Sequence, residues 1–350
     1  MFATISGGYP LGPLPGGSED LVSARARVVL GEWDSATMAR AVDEWVAKAV
    51  DEQIASGLAL VCDADAPWPD GQAGLARDLL RGAVAPADVV AAWRHADADT
   101  NVLTKQVLPG PWSASVALAA APSDRAPMAR DLVVILSRTA RELSAAGCPL
   151  IQFDEPAATR GIVRSDGLEA TATDLAADLG SLLDAIPNGQ SVCLGLLDAA
   201  PRPELWPRLA ELPVHSFLVD VTAGAESWRF IATLSAEQGV IVGAVDARSA
   251  ALDDPEMLVW AATLAAEMDD RGAARVGIAS SGSLARLERH YARRKMEQAG
   301  MAARLSAMGP LGQVARAMQP DPATSRIQGL PELVAAWQVG TGRTLADTGP

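Results

Sequence analysis

The sequence predicts an α/β protein, a single-domain (β/α)8 barrel of the TIM type with a short C-terminal appendage. Two observations carry this. Short apolar, β-branched runs alternate with longer Ala/Leu/Arg/Glu-rich stretches of helical period along the chain, and no Gly/Ser linker or shift of composition divides them. That alternation is the mark of repeated βα units and a parallel sheet. The strand candidates also number about eight, the count that closes a barrel.

In order, the strands are expected at Ala3–Ser6, Leu58–Cys62, Val102–Val107, Leu150–Phe153, Val192–Leu196, Phe217–Asp220, Ile241–Val245 and Val276–Ala279. Helices are expected at Thr37–Ala55, Ala126–Ala145, Thr171–Leu183, Pro255–Asp269 and Leu284–Ala303. Each spaces its apolar residues by three and four, as in MARAVDEWVAKAVDEQI, so that one face can pack on the barrel. The barrel is assigned to residues 1–308. Residues 309–350, rich in Gly, Pro and mixed polarity, read as an extension with one short helix near Pro331–Gln338.

Hydrophobic residues make up 49% and charged residues 21% of the 350, the balance of a globular chain with a large core. A formal net charge of −14 opposes attraction to nucleic-acid phosphates or an anionic membrane, so no nucleic acid and no membrane are expected as partners. No apolar run reaches the roughly 18 residues that a bilayer span requires, and the N-terminus MFATISGGYP has no basic segment followed by an apolar one. The expected location is therefore the cytoplasm. Three cysteines, Cys62, Cys148 and Cys193, are an odd number at wide spacing and read as reduced thiols.

In a barrel of this type the reactive groups gather at the C-terminal ends of the strands. Those ends carry Gly7-Gly8-Tyr9-Pro10, Asp63-Ala64-Asp65, Leu108-Pro109-Gly110-Pro111-Trp112, Asp154-Glu155-Pro156-Ala157, Cys193, Asp220, Asp246 and Ser280-Ser281-Gly282. Carboxylates dominate, which suits a cationic ligand group. Cys193 is a candidate ligand or nucleophile, and equally a buried small apolar residue. Asp154 and Glu155 could bind a ligand or satisfy loop N–H groups, and Trp112 could be a stacking platform or a core residue. The basic run RLERHYARRKM at Arg286–Met296 has helical spacing and reads as a solvated helix face.

These strand ends resemble one family. IQFDEPA at Ile151–Ala157 is similar to the IQIDEPA strand end of cobalamin-independent methionine synthases. LPGPW at Leu108–Trp112 resembles that family's LPGPF, DADAPWPD at Asp63–Asp70 its DGEQPRPD, GAVDARS at Gly243–Ser249 its GVVDVKS, and SGGYP at Ser6–Pro10 its IGSFP. The pieces come in the family's order over residues 4 to about 300, one per barrel unit.

The resemblance implies methyl or alkyl transfer to a small thiol such as homocysteine, with a zinc ion that favours the thiolate. It implies that Asp65 and Asp154 hold an amino-acid ammonium and that Ser6, Gly7 and Gly8 cradle its carboxylate, with Glu155 and Trp112 beside the ligand. Cys193, Asp246 and Arg248 occupy the catalytic positions. The family's zinc ligands are His-x-Cys, a Glu and a later Cys; aligned on SVC, they fall on Ser191, Cys193, Asp220 and Ser281. Only Cys193 and Asp220 are then metal-binding residue types, because neutral serine hydroxyls are poor zinc ligands. No counterpart of the folate-binding half of longer members occurs in this sequence, so a folate and a methylated corrinoid are both candidate methyl donors.

Two further functions fit the same residues. One is a divergent barrel without zinc that carries out metal-free chemistry on an amino-acid-like ligand, or only binds it. The other is thiol addition to an epoxide, or thioether cleavage.

Overall fold

The computed structural model describes residues 1–10, 12, 21–68, 70–98, 100–160 and 168–307. Nine strands are present among them: β1 (Phe2–Ala3), β2 (Leu60–Val61), β3 (Leu103–Thr104), β4 (Gln106–Pro109), β5 (Ile151–Asp154), β6 (Val192–Leu196), β7 (Ser216–Asp220), β8 (Gly239–Val245) and β9 (Val276–Ser280). Each paired neighbour runs parallel, in the order β1-β9-β8-β7-β6-β5-β4, with β2 and β3 forming a second pair. Only Lys105 separates β3 from β4. Its N–H bonds back to Val61 O at 2.9 Å while Gln106 N–H bonds forward to Leu150 O at 3.1 Å, so this one extended segment joins the two pieces of sheet. Ala59 N–H reaches Ala3 O at 3.1 Å and closes the ring between β1 and β2. The result is the expected (β/α)8 barrel.

Strand alternation decides what fills it. Along β6 and β7, Leu194, Leu196, Phe217 and Val219 pack outward in the main core under the helices. Cys193 and Leu218, with Leu197, Ile241 and Ala279, instead form a separate cluster inside the barrel. Burial on both faces is why these strands read as continuous apolar runs.

The long helices follow the predicted pattern with adjusted ends. Ser35–Ala55 starts where the Asp34 carboxylate accepts the Thr37 N–H at 2.7 Å, and Pro255–Glu267 has proline in its first turn with Asp254 accepting from Glu256 N–H. Arg125–Ala146 stops at Gly147, whose φ of +92° is the left-handed turn that glycine adopts without strain. Two expectations need correction. The last helix starts at Arg289 and not at Leu284, because Ser283 caps a single 3-10 turn over Leu284–Arg286 and Leu287 is extended. Helices at Gly71–Leu80 and Pro111–Leu118, absent from the sequence-based expectation, are short insertions at strand ends. The expected extension, 309–350, and its helix near Pro331–Gln338 lie outside the described residues. No helix among the described residues is long and apolar enough to cross a membrane.

Candidate functional site

The ends of β4, β5 and β6 and the loops after β1, β2, β8 and β9 enclose a cavity of about 460 Å³. Gly8, Asp65, Gln72, Asp154, Asp198 and Arg248 supply its polar surface. Ala73, Pro109, Ala114, Ala117, Leu197 and Leu287 supply an apolar wall.

Asp154 ends β5, and its place depends on a neighbour without a side chain. Gly195 on β6 is its registered partner, and a Cβ at Gly195 would collide with Asp154 Oδ1. Gln152, two residues earlier and therefore on the same face of the strand, donates from Nε2 to Asp154 Oδ1 at 2.6 Å and to Ser6 O at 2.6 Å. Its Oε1 accepts from Lys105 Nζ at 2.7 Å. The same ammonium donates to Ile5 O at 2.5 Å. A polar network inside the barrel thus ties the Ile5–Ser6 segment to Asp154.

Asp65 is brought in by strained backbone. Ala64 and Asp65 have φ of +61° and +59°, a conformation costly for residues other than glycine, and Asp63 Oδ1 holds the turn by accepting Asp65 N–H at 3.1 Å. A Cβ at Gly7 would lie 3.5 Å from Asp65 Oδ2 and 3.8 Å from Asp154 Oδ2, so both carboxylates face the same stretch of backbone. At Gly8 a Cβ would meet Ser283 Oγ, so any larger residue there would push that hydroxyl aside. The Gly7 and Gly8 N–H groups have no acceptor among the described residues. Ser6, by contrast, is fully engaged, its N–H with Ser280 Oγ at 3.0 Å and its carbonyl with Gln152.

Burial raises both acids. Asp65 is pushed up to about 8, by burial first and then by the charges of Asp63 and Asp154. Asp154 is pushed up to about 7 by burial, against the hydrogen bond from Gln152 and the charge of Lys105. Two neighbouring carboxyls held near neutrality are suited to receive a cation.

The opposite wall has a different character. Asp220, at the end of β7, is fully buried, and its Oδ1 accepts the Thr222 N–H at 2.9 Å and hydroxyl at 2.6 Å. Arg248 Nη1 lies 3.2 Å from Asp220 Oδ2, and Arg248 Nε lies 3.2 Å from Asp246 Oδ1. Burial still holds Asp220 at about 6, above the ordinary carboxylate range. Asp246 orients Arg248 through the side chain and through its backbone N–H at 3.0 Å. Arg160 and Asp198 form a second ion pair at the rim.

Several sequence-predicted site residues lie elsewhere. Cys193 is the second residue of β6, registered with Gln152 below the strand end, in the apolar cluster inside the barrel. Burial pushes its thiol up to about 11, so it is neutral at pH 7. The β6 residues level with Asp154 and beyond are Gly195 and Leu197, so the alignment on SVC sits too early along the strand. Ser191 precedes β6, at the far end from the cavity. Ser281 Oγ accepts Ala247 N–H at 3.1 Å. Ser191 and Cys193 thus lie below the level of Asp220, the strand end carries Gly195 and Leu197, which have no metal-binding side chain, and among the described residues no group of three His, Cys, Asp or Glu side chains could hold a metal. These residues do not fit a zinc ion.

Trp112 is also a correction: it is fully buried, and its indole N–H bonds to Asp178 Oδ2 at 2.9 Å, so it is a core residue and not a platform in the cavity. Glu155 points into the chain as well. It accepts the N–H groups of Trp112 at 3.0 Å and Ser113 at 2.7 Å, which caps the Pro111–Leu118 helix. Sequence reasoning passed over Gln72, Lys105 and Gln152. Strand alternation from Asp154 points back to Gln152, and a lone lysine in an apolar strand was the signal for Lys105.

Fold and cavity together define a (β/α)8 barrel with a polar cavity at the C-terminal strand ends. Residues 75–305 match the cobalamin-independent synthase catalytic domain, and the chain belongs to that family. Among solved structures it is similar to a B12-independent methionine synthase from Shewanella sp. W3-18-1 in complex with selenomethionine. That pair shares 15% identity over 87% of this chain and 97% of the other, with a TM-score of 0.68. It is also similar to a methyltransferase from Methanosarcina mazei, at 14% identity over 87% and 94% of the two chains, with a TM-score of 0.57. No curated protein matches the chain in sequence.

Proposed function

We propose that the chain is a methyltransferase-type enzyme that holds a small amino acid or amino thiol by its ammonium between Asp65 and Asp154. The observation that carries this reading is the convergence of those two buried carboxylates on Gly7 in one cavity. The N–H groups of Gly7 and Gly8, which have no acceptor among the described residues, are suited to the ligand's carboxylate. Its side chain would run along the apolar wall toward Leu197 and Arg248. Family membership supports transfer of a methyl or alkyl group to that side chain. A similar fold is known in complex with selenomethionine, which makes an amino acid the first ligand to try.

Activation of a thiol by zinc is not part of this proposal, since the β6 strand end carries Gly195 and Leu197 and the described residues hold no group of three metal-binding side chains. The Asp220–Arg248 pair favours a second reading, in which the barrel does metal-free chemistry on its amino-acid ligand or only binds it.

Calorimetric titration of L-methionine and L-homocysteine into wild type and Asp154→Asn tests the pocket, and methyl-transfer assays with folate and corrinoid donors test the reaction. The expected result is a loss of at least about tenfold in affinity in the variant, the equivalent of one charge-assisted hydrogen bond. Unchanged affinity would show that the pocket is assigned wrongly. Binding without transfer from any donor would select the second reading.

A further inference from the structure

The loop after β9 is bonded to the glycine cradle itself. Ser283 caps the single 3-10 turn over Leu284–Arg286, Leu284 N–H donates to Gly8 O at 3.0 Å, and Ser283 Oγ lies 3.4 Å from the same oxygen. Arg286, the last residue of that turn, lines the cavity and also an adjoining chamber of about 600 Å³. Gly8, Asp65, Gln72 and Ser283 are the other residues common to both walls, so Arg286 stands where the two spaces meet. It opens the basic run of the sequence but precedes the last helix, and so belongs to the cavity and not to a helix face. Arg286 is exposed, and it has no hydrogen-bond or ion-pair partner among the described residues. The other two arginines of the cavity wall are committed, Arg160 to Asp198 and Arg248 to Asp220 and Asp246. In a chain with 43 acidic residues to 29 basic ones, a guanidinium left without a carboxylate at a cavity wall is available to an anion.

We propose that Arg286 pairs with the ligand's carboxylate, so that the cavity selects α-amino acids over simple amines. This rests on the amino-acid reading above. In an α-amino acid one carbon bears both the ammonium and the carboxylate, so an ammonium held between Asp65 and Asp154 brings the carboxylate to the stretch of backbone those acids face. The N–H groups of Gly7 and Gly8 use only part of a carboxylate's acceptor capacity. A guanidinium matches the remainder with charge-assisted bonds, which are stronger than neutral ones. Arg286 breaks no ion pair when it closes on a ligand. An amine without the carboxylate offers it only a like charge.

The test is calorimetric titration of L-methionine and L-methioninol, which keeps the ammonium and side chain but replaces the carboxylate by an alcohol, into wild type and Arg286→Met at pH 8. A thermal melt accompanies each protein. Wild type should prefer L-methionine by about tenfold or more, the loss typical of one hydrogen bond between charged groups. Arg286→Met should bind L-methionine about tenfold more weakly, while its affinity for L-methioninol stays within about twofold or rises as the like charge is removed. A structural defect would weaken both ligands together. Should Arg286→Met melt early, Arg286→Gln keeps a polar side chain at the exposed position and should show the same selective loss. An unchanged preference in a folded variant, with Asp154→Asn still abolishing binding, would overturn the role of Arg286 and spare the amino-acid reading. A wild type that binds neither compound would overturn both.

Discussion

Lys105 Nζ lies 2.7 Å from Gln152 Oε1 inside a barrel where both residues are fully buried. The contact agrees with the edge of the Gln152 amide that faces Asp154: Lys105 donates to the oxygen, while Ser6 O and Asp154 Oδ1 accept from the nitrogen. A lysine far from solvent is thereby linked to an acid at the cavity.

Replacing Lys105 by Met would leave Ile5 O and Gln152 Oε1 buried without that donor. The expected cost is about 1–3 kcal/mol, the usual penalty for an orphaned buried group, read as a lower urea midpoint at unchanged slope. Ligand affinity should fall as well, since Gln152 loses one of the three contacts that hold its amide beneath Asp154. Unaltered affinity in a folded variant would separate Lys105 from the site.

Ligand binding should depend on pH in a stated direction. Free Asp154 and Asp65 are raised to about 7 and about 8, so at pH 6 both are largely protonated and must lose protons to receive an ammonium. Affinity for L-methionine is expected to rise by about tenfold or more between pH 6 and pH 8.5, since one proton linked to binding gives tenfold per pH unit below the free pKa. Titrations in buffers of different ionisation enthalpy should show net proton release. Uptake, or no change, would contradict the raised values.

The same shift makes a stability prediction of opposite sense to the binding one. Asp154 rises in the folded state from 3.8 to about 7, so its contribution is fully present below about pH 4 and is lost as pH climbs through 7. Asp154→Asn removes the ionisable group and should raise the ligand-free melting temperature at pH 8 by a few degrees relative to wild type, the shift per kcal/mol being below the about 2–4 °C of chains of roughly 150–250 residues. The gain should shrink toward pH 4. Equal gains at both values would place its cause outside ionisation.

Zinc titration into metal-stripped wild type should give no tight stoichiometric isotherm, and Cys193→Ser should behave identically. Cys193 sits in the apolar cluster inside the barrel, and the Asp220 carboxylate is already bonded to Thr222 and Arg248. One equivalent of tightly bound zinc, lost in Cys193→Ser, would overturn that placement.

The sequence by itself determined the barrel. Apolar runs of strand length, doubly buried, alternating with helices of regular period leave few other closed solutions, and β6 falls where it was predicted, at Val192–Leu196. It also determined that Asp154 ends a strand and that Asp65 lies in the loop just past one, since the end of an apolar run is visible in its pattern. Tertiary structure alone decided what those ends contain. A motif match tolerates a slip of a few residues along β6, whereas the register with Asp154 does not, and it put Gly195 and Leu197 where the alignment had Ser191 and Cys193. It likewise turned Trp112 and Glu155 into the core and brought Gln72, Gln152 and Lys105 to the site. Such choices depend on which side chain fills the space beside which, a relation between distant residues that no local spacing encodes.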